Sequence, residues 1–273
     1  MVKAFRPSTL EEALAIINKY KVLLYAGGTD CMVHETSHFP VLFLNYLAEI
    51  SKVNEDEDHL YIGSMCTYDT LLKQDSTPEI LKQAMGQIAS PAIRNVGTIG
   101  GNICNASPAG DTLPVLYALH ASIKLVSMHS SRVIKIEDFI TGPKRTDIKH
   151  NEILETIIVP KQSFNKMYYK KVGARKADAI SKLSFVGLMQ VTDGVIKDMR
   201  VAIGAAAPTV VKDREIEQEC IGRTLSEVVH DKEVFLDRYK AIITPIDDQR
   251  STAYYRKKIG LRLIEDFMVT SSL

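Results

Sequence analysis

Tryptophan is absent from the 273 residues, aromatic residues make up only 7%, and there are just four cysteines. Those cysteines, Cys31, Cys66, Cys104 and Cys220, lie far apart and form no Cys-x-x-Cys pair, so neither a zinc knuckle nor an iron-sulfur cluster is expected in this chain. An excess of one charge is missing too. Lys and Arg total 34 against 33 for Asp and Glu, and a net charge of +1 provides no field to gather nucleic acid or an anionic membrane. No apolar run approaches the roughly 18 residues of a membrane helix, and no signal-peptide pattern opens the chain, which makes a cytoplasmic protein the expectation. Internal repeats and low-complexity segments are lacking. Neither Gly-x-Gly-x-x-Gly opening a helix nor Gly-x-x-x-x-Gly-Lys-Ser/Thr occurs, which excludes a Rossmann dinucleotide site and a P-loop. What is present, 45% apolar and 25% charged residues, suits one large domain or two modest ones.

Ser8 lies three residues before Glu11 as in a capping box, and Leu10, Ala13, Leu14 and Ile17 repeat at helical spacing, predicting a helix over about 9–20. Buried strands are predicted at 22–25, 41–44 and 60–62, the last after the acidic turn 55–58, so the first fifty residues form a small β-α-β unit. A helical period returns over 78–88 and near 112–120, followed by strands at 123–126, 133–136 and 153–159, with Pro160 closing the region. Beyond it, 167–172, 184–191 and 195–203 predict an antiparallel meander with Asp193-Gly194 as its second turn, and helices follow near 212–221, 231–243 and 250–268. The fold class is α+β, with a domain over 1–160 made of lobes at about 1–52 and 53–160, and a second over 161–273 in which a three-stranded antiparallel sheet carries helices.

Two glycine segments stand out. Ala26-Gly27-Gly28-Thr29-Asp30 follows the strand at 22–25, and Gly97-Thr98-Ile99-Gly100-Gly101-Asn102 places three glycines in five positions as a second tight loop. A diphosphate requires closely approaching backbone N–H groups, which only residues without obstructing side chains present. A single Gly-Gly pair is an ordinary turn; two segments of matching chemistry could grip one diphosphate from both sides.

The residues 24–30, Ile93 to Ile103 and Asn105 to Asp111 resemble the FAD-binding signatures of the medium subunits of molybdenum hydroxylases of the xanthine, carbon monoxide and nicotinate dehydrogenase type. The similarity continues through Glu152-Ile153-Leu154, Lys171 to Lys176, Ile180-Ser181-Lys182, Gly204 to Pro208, Pro245 to Arg250 and Tyr254-Tyr255-Arg256, across nearly the whole chain. It implies an FAD-binding domain of two lobes, with the cofactor held between the lobes and the C-terminal domain. Leu24, Tyr25, Ala26, Gly27, Gly28, Thr29, Asp30 and Cys31, with Thr98, Gly100, Gly101, Asn102, Cys104 and Asn105, would then wrap the diphosphate and ribityl chain. Asp111 would hydrogen-bond the cofactor, Leu154 would pack near the adenine, and Lys171 would stand beside the flavin ring, where a cation stabilises the reduced form. Partners implied are a small subunit with two [2Fe-2S] clusters and a large molybdopterin subunit, with NAD⁺ as one external acceptor. No residue of this chain need act on the organic substrate.

Other readings attach to the same residues. Asp111 alone would be a helix N-cap and Lys171 a surface lysine. Cys31 and Cys104 are expected to pack as small buried residues, and Arg94 to form a structural salt bridge. His34-Glu35-Thr36-Ser37-His38 is a literal His-Glu-x-x-His, the spacing that places two imidazoles on one helical face for zinc. The helix would have to fit between Gly28 and Pro40, with Pro40 two residues after the second histidine, so a zinc protease is not the reading adopted. A nucleotide-binding scaffold would keep the glycine segments without flavin reduction.

Overall fold

Thr9, one residue later than the capping-box spacing predicts, starts the first helix, Leu10–Lys19: its hydroxyl accepts from the Glu12 N–H, and the Glu12 carboxylate accepts from the Ser8 N–H. Thr9 already has the extended backbone of an N-cap, and Glu12 rather than Glu11 reaches back. The helix buries Ala13, Leu14 and Ile17 against Leu42, Leu44 and Leu47. Leu42 lies on the central strand, Val41–Phe43, of a parallel sheet flanked by Ala4–Phe5 and Leu23–Tyr25.

The computed structural model describes residues 3–31 and 39–271. By contact density the chain forms two units, the first from residues up to Pro78 with Ala89–Ser107 and His120–Lys161, the second from Glu79–Ile88, Pro108–Leu119 and Gln162 onward. The first unit adds to the parallel sheet a five-stranded antiparallel one in the order Val53–Glu55, His59–Gly63, Ile153–Pro160, Ser122–Val126, Ser131–Lys135. A predicted strand over 133–136 stops at Lys135, where Ile136–Phe139 turns helical and buries Ile136 and Phe139. Helix Tyr68–Lys73, capped by the Thr67 hydroxyl, is too short to show a period and was not expected.

The second tight loop is also a correction. Residues Pro91–Val96 and Ile99–Asn105 are two short helices, and Gly100 and Gly101 lie in the first turn of the second. Ser90 and Thr98 cap them by accepting from the Ile93 and Gly101 N–H groups. Capping turned a glycine-rich stretch into helix, against the propensity of glycine.

In the second unit the meander is Lys166–Val172, Leu183–Thr192 and Val195–Gly204. Asp193 (φ 51) and Gly194 (φ 76) both take the left-handed region that a two-residue hairpin turn requires. Both faces of the middle strand are covered. Phe185, Phe267 and Tyr168 meet ring to ring at 5.8–6.4 Å between centroids, and Phe235, Tyr239 and Ile264 complete that core. Helix Thr112–Ala118, buried along its length, packs on strands Leu183–Thr192 and Val195–Gly204. Among the described residues no helix is long and apolar enough to cross a membrane.

Candidate functional site

Leu24 and Tyr25 end a strand of the parallel sheet, and the chain then turns through Ala26–Asp30. Gly28 is buried with φ 71, where a Cβ would fall 2.0 Å from the Tyr25 hydroxyl. A Cβ on Gly27 would fall 1.8 Å from the Val96 carbonyl oxygen, so this turn lies flat against the end of helix Pro91–Val96. Gly100 is equally pressed on Ser64, with Cβ and carbonyl oxygen at 2.5 and 2.6 Å, while at Gly101 a Cβ would find Ala26 at 3.8 Å. Residues 24–31 and 98–105, distant in sequence, therefore meet.

The two segments differ in what they offer a ligand. Gly100 N–H donates to Ser64 O, Gly101 N–H to the Thr98 hydroxyl and Asn102 N–H to Thr98 O, so these amides are used within the protein. At Ala26, Gly27, Gly28 and Thr29 no acceptor among the described residues faces the N–H groups. Gly28 is buried and Ala26, Gly27 and Thr29 are half-buried, so N–H groups left without an acceptor there forgo hydrogen bonds that an anionic oxygen would restore. A cradle that a single Cβ would fill, edged by such donors, fits the diphosphate of FAD. Its glycines at 100 and 101 serve close packing.

Leu154 is buried at a bulge of strand Ile153–Pro160. Cys31 is half-buried, and Cys104 is accessible to solvent rather than packed away as expected, yet it is surrounded closely enough that burial pushes its thiol up to about 12. Cys66 and Cys220 are the buried pair, their thiols pushed up by burial to about 11 and about 12. Arg94 donates to the Ala89 carbonyl at 3.1 Å. The His34 to His38 motif lies outside the described residues, and among those described no group of three His, Cys, Asp or Glu could hold a metal.

In the second unit Asp111 and Lys171 form an ion pair at 2.8 Å, each side chain 8% exposed. Asp111 stands at the start of helix Thr112–Ala118 but does not cap it. Its other oxygen accepts from the Ser181 hydroxyl at 2.5 Å, and Lys171 Nζ also donates to Gln87 O at 2.8 Å. Burial raises the Asp111 carboxyl, while Lys171 and Ser181 pull it back. Tyr169 adds a buried hydroxyl with no hydrogen-bond partner among the described residues, raised well above the ordinary tyrosine range by burial and by the Asp111 charge. A polar cavity of about 200 Å³ opens beside Lys171, walled by Lys170, Arg175 and Lys176. Ser181, Gln87 and Tyr169 were not among the expected site residues; only Ser181 carried a signal, its place in the Ile180-Ser181-Lys182 motif.

Comparison with known proteins identifies the family. The family model of the FAD binding domain in molybdopterin dehydrogenase matches residues 1–162, and that of the CO dehydrogenase flavoprotein C-terminal domain matches 167–271. The glyceraldehyde dehydrogenase medium chain of Sulfolobus acidocaldarius is 32% identical over 263 residues, covering 93% of this chain and 92% of that one. A xanthine dehydrogenase FAD-binding subunit from Escherichia coli O157:H7 is 31% identical over 224 residues, 78% and 77% of the two chains. In fold the chain matches carbon monoxide dehydrogenase from Hydrogenophaga pseudoflava with a TM-score of 0.90 at 23% identity, over 97% of this chain and 95% of that one. This chain belongs to the FAD-binding flavoprotein family of the molybdopterin dehydrogenases, as an oxidoreductase subunit whose cofactor is FAD.

Proposed function

We propose that the chain is the electron-transfer subunit of a molybdenum-containing dehydrogenase, assembled with a small [2Fe-2S] subunit and a large molybdopterin subunit. The observation that carries the reading is the Ala26–Thr29 turn, with N–H groups that have no acceptor among the described residues, lying against the Ile99–Asn105 helix. Residues Leu24 to Cys31 would hold the diphosphate and ribityl chain, Thr98, Asn102, Cys104 and Asn105 would line it with Gly100 and Gly101 allowing their close approach, and Leu154 would lie near the adenine. FAD, when bound, supplies the redox centre that takes electrons from the partner's clusters and releases them to an external acceptor such as NAD⁺.

Asp111 and Lys171 are assigned to the flavin ring. Because Asp111 offsets the Lys171 charge, their influence on the flavin is that of an ion pair whose carboxylate also accepts a hydrogen bond from the Ser181 hydroxyl. Lys170, Arg175 and Lys176 around the cavity beside Lys171 supply a positive field suited to the phosphates of a nicotinamide dinucleotide. These residues bind, orient and tune, and none acts on the organic substrate.

The test is the visible spectrum of the purified chain, then denaturation and chromatography of what is released. Flavin absorption and release of FAD support the reading. A colourless chain that stays folded and refuses added FAD refutes it. Bleached flavoprotein mixed with NAD⁺ then tests the acceptor: recovery of absorption supports NAD⁺, and none points to another carrier.

A further inference from the structure

We infer that Lys144 is a positioning residue that ties the two glycine segments together around the cofactor's diphosphate. The inference rests on the reading that these segments hold FAD.

Lys144 sits in the tight turn between strands Ile140–Gly142 and Arg145–Thr146. Its φ is 56, a left-handed conformation that costs a residue with a side chain roughly 1–2 kcal/mol and glycine nothing. Its N–H donates to Ala106 O at 2.9 Å, docking the turn on the end of helix Ile99–Asn105. From there its ammonium reaches Asn105 Oδ1 at 2.5 Å and Asp30 Oδ2 at 3.1 Å. Asn105 ends the second glycine segment and Asp30 ends the first, 39 and 114 residues away in sequence. One cation thus bridges both.

Fold stability does not account for the lysine. Its side chain and that of Asp30 are each half exposed, and such pairs add little to stability. A glycine would relieve the turn and keep the N–H bond to Ala106. What a glycine would lose is the link between the segments, together with a compact positive charge beside the place where two phosphates would lie. An ammonium has three donors, and Asp30 and Asn105 take two, leaving one for an anionic oxygen.

The experiment compares the full chain with Lys144→Gly and Lys144→Arg, reading the FAD dissociation constant from flavin fluorescence and the melting temperature of the FAD-free protein. K144G should melt at or above the wild-type temperature yet bind FAD roughly tenfold more weakly, as loss of about 1.4 kcal/mol implies. K144R should recover part of the affinity, and the wild-type advantage should shrink as salt screens it. Wild-type affinity in K144G overturns the inference, as does a fall in melting temperature that parallels the loss of FAD, which would make the lysine a purely structural residue. A wild-type chain that takes up no FAD removes the cofactor reading itself, a different result from wild type binding and K144G binding equally.

Discussion

Replacing Gly27 with alanine adds one methyl group where the structure has no room. The new Cβ would lie 1.8 Å from the Val96 carbonyl oxygen and 2.7 Å from its carbon. Both are backbone atoms at the end of a capped helix, so no rotamer change relieves the clash. Reaching even 3.0 Å from the oxygen requires the Ala26–Asp30 turn to move by at least about 1.2 Å. Overpacking of this kind costs about 1–3 kcal/mol, and a misplacement of about 1 Å in a pre-formed site commonly costs on the order of 100-fold. Gly27→Ala should therefore lower the melting temperature of the FAD-free chain by roughly 2–10 °C and weaken FAD binding about 100-fold. Gly86→Ala is the control: nothing lies within 4 Å of a Cβ at that helical glycine, and the change should stabilise by about 0.5–1 kcal/mol without altering FAD affinity. Affinities are read from flavin fluorescence and stabilities from thermal and urea melts. A Gly27→Ala chain that binds FAD within a factor of two of wild type would refute the close approach of the Ala26–Asp30 turn to the end of helix Pro91–Val96.

Lys171→Met should cost about 3–5 kcal/mol in urea unfolding, because it leaves the buried Asp111 carboxylate without its cation. Asp111→Asn with Lys171→Met should cost much less, and equal losses in the single and double variants would deny the coupling. Glu217 is fully buried, and burial pushes its carboxyl up to about 7 from an ordinary 4.5, against the Val201 N–H and Arg214. The native state then holds a proton that the unfolded chain has released between about pH 4.5 and 7, so stability should fall as pH rises through that window, by at most roughly 3 kcal/mol. Glu217→Gln should flatten this profile, and an identical slope in the variant would contradict the assignment.

The meander was legible in the sequence because its middle strand, Leu183–Thr192, is a long, mostly apolar run and Asp193-Gly194 is a turn with a conformational reason. The helix Leu10–Lys19 was legible for its period, although the capping residue was displaced by one, since Ser8, Thr9, Glu11 and Glu12 offer two registers for the same pattern. What escaped were elements shorter than a period, such as Tyr68–Lys73, and helices made by caps rather than propensity, such as Ile99–Asn105. The glycine segments announced themselves, but which amides remain available depends on Ser64 and Thr98 as acceptors, and no local pattern reports that. Lys144 and Gln87 were invisible for a related reason. One acts through a side chain aimed across 114 residues, the other through a backbone carbonyl whose side chain carries no signal.

The chain passes between its two compact units in six alternating segments. Helix Thr112–Ala118, made long before the C-terminal sheet, supplies that sheet with a cover: Ala205 N–H bonds Pro108 O at 2.8 Å and Arg200 bonds Ala118 O at 2.9 Å. During synthesis the cover emerges first and must wait, its apolar side exposed, until residues near 204 have left the ribosome. A fragment starting near residue 167 would likewise lack the helix that its own strands are shaped to receive. The boundary between the two matched family segments is thus a seam in sequence only, and gene fusion or domain exchange at that seam would separate a sheet from its lid.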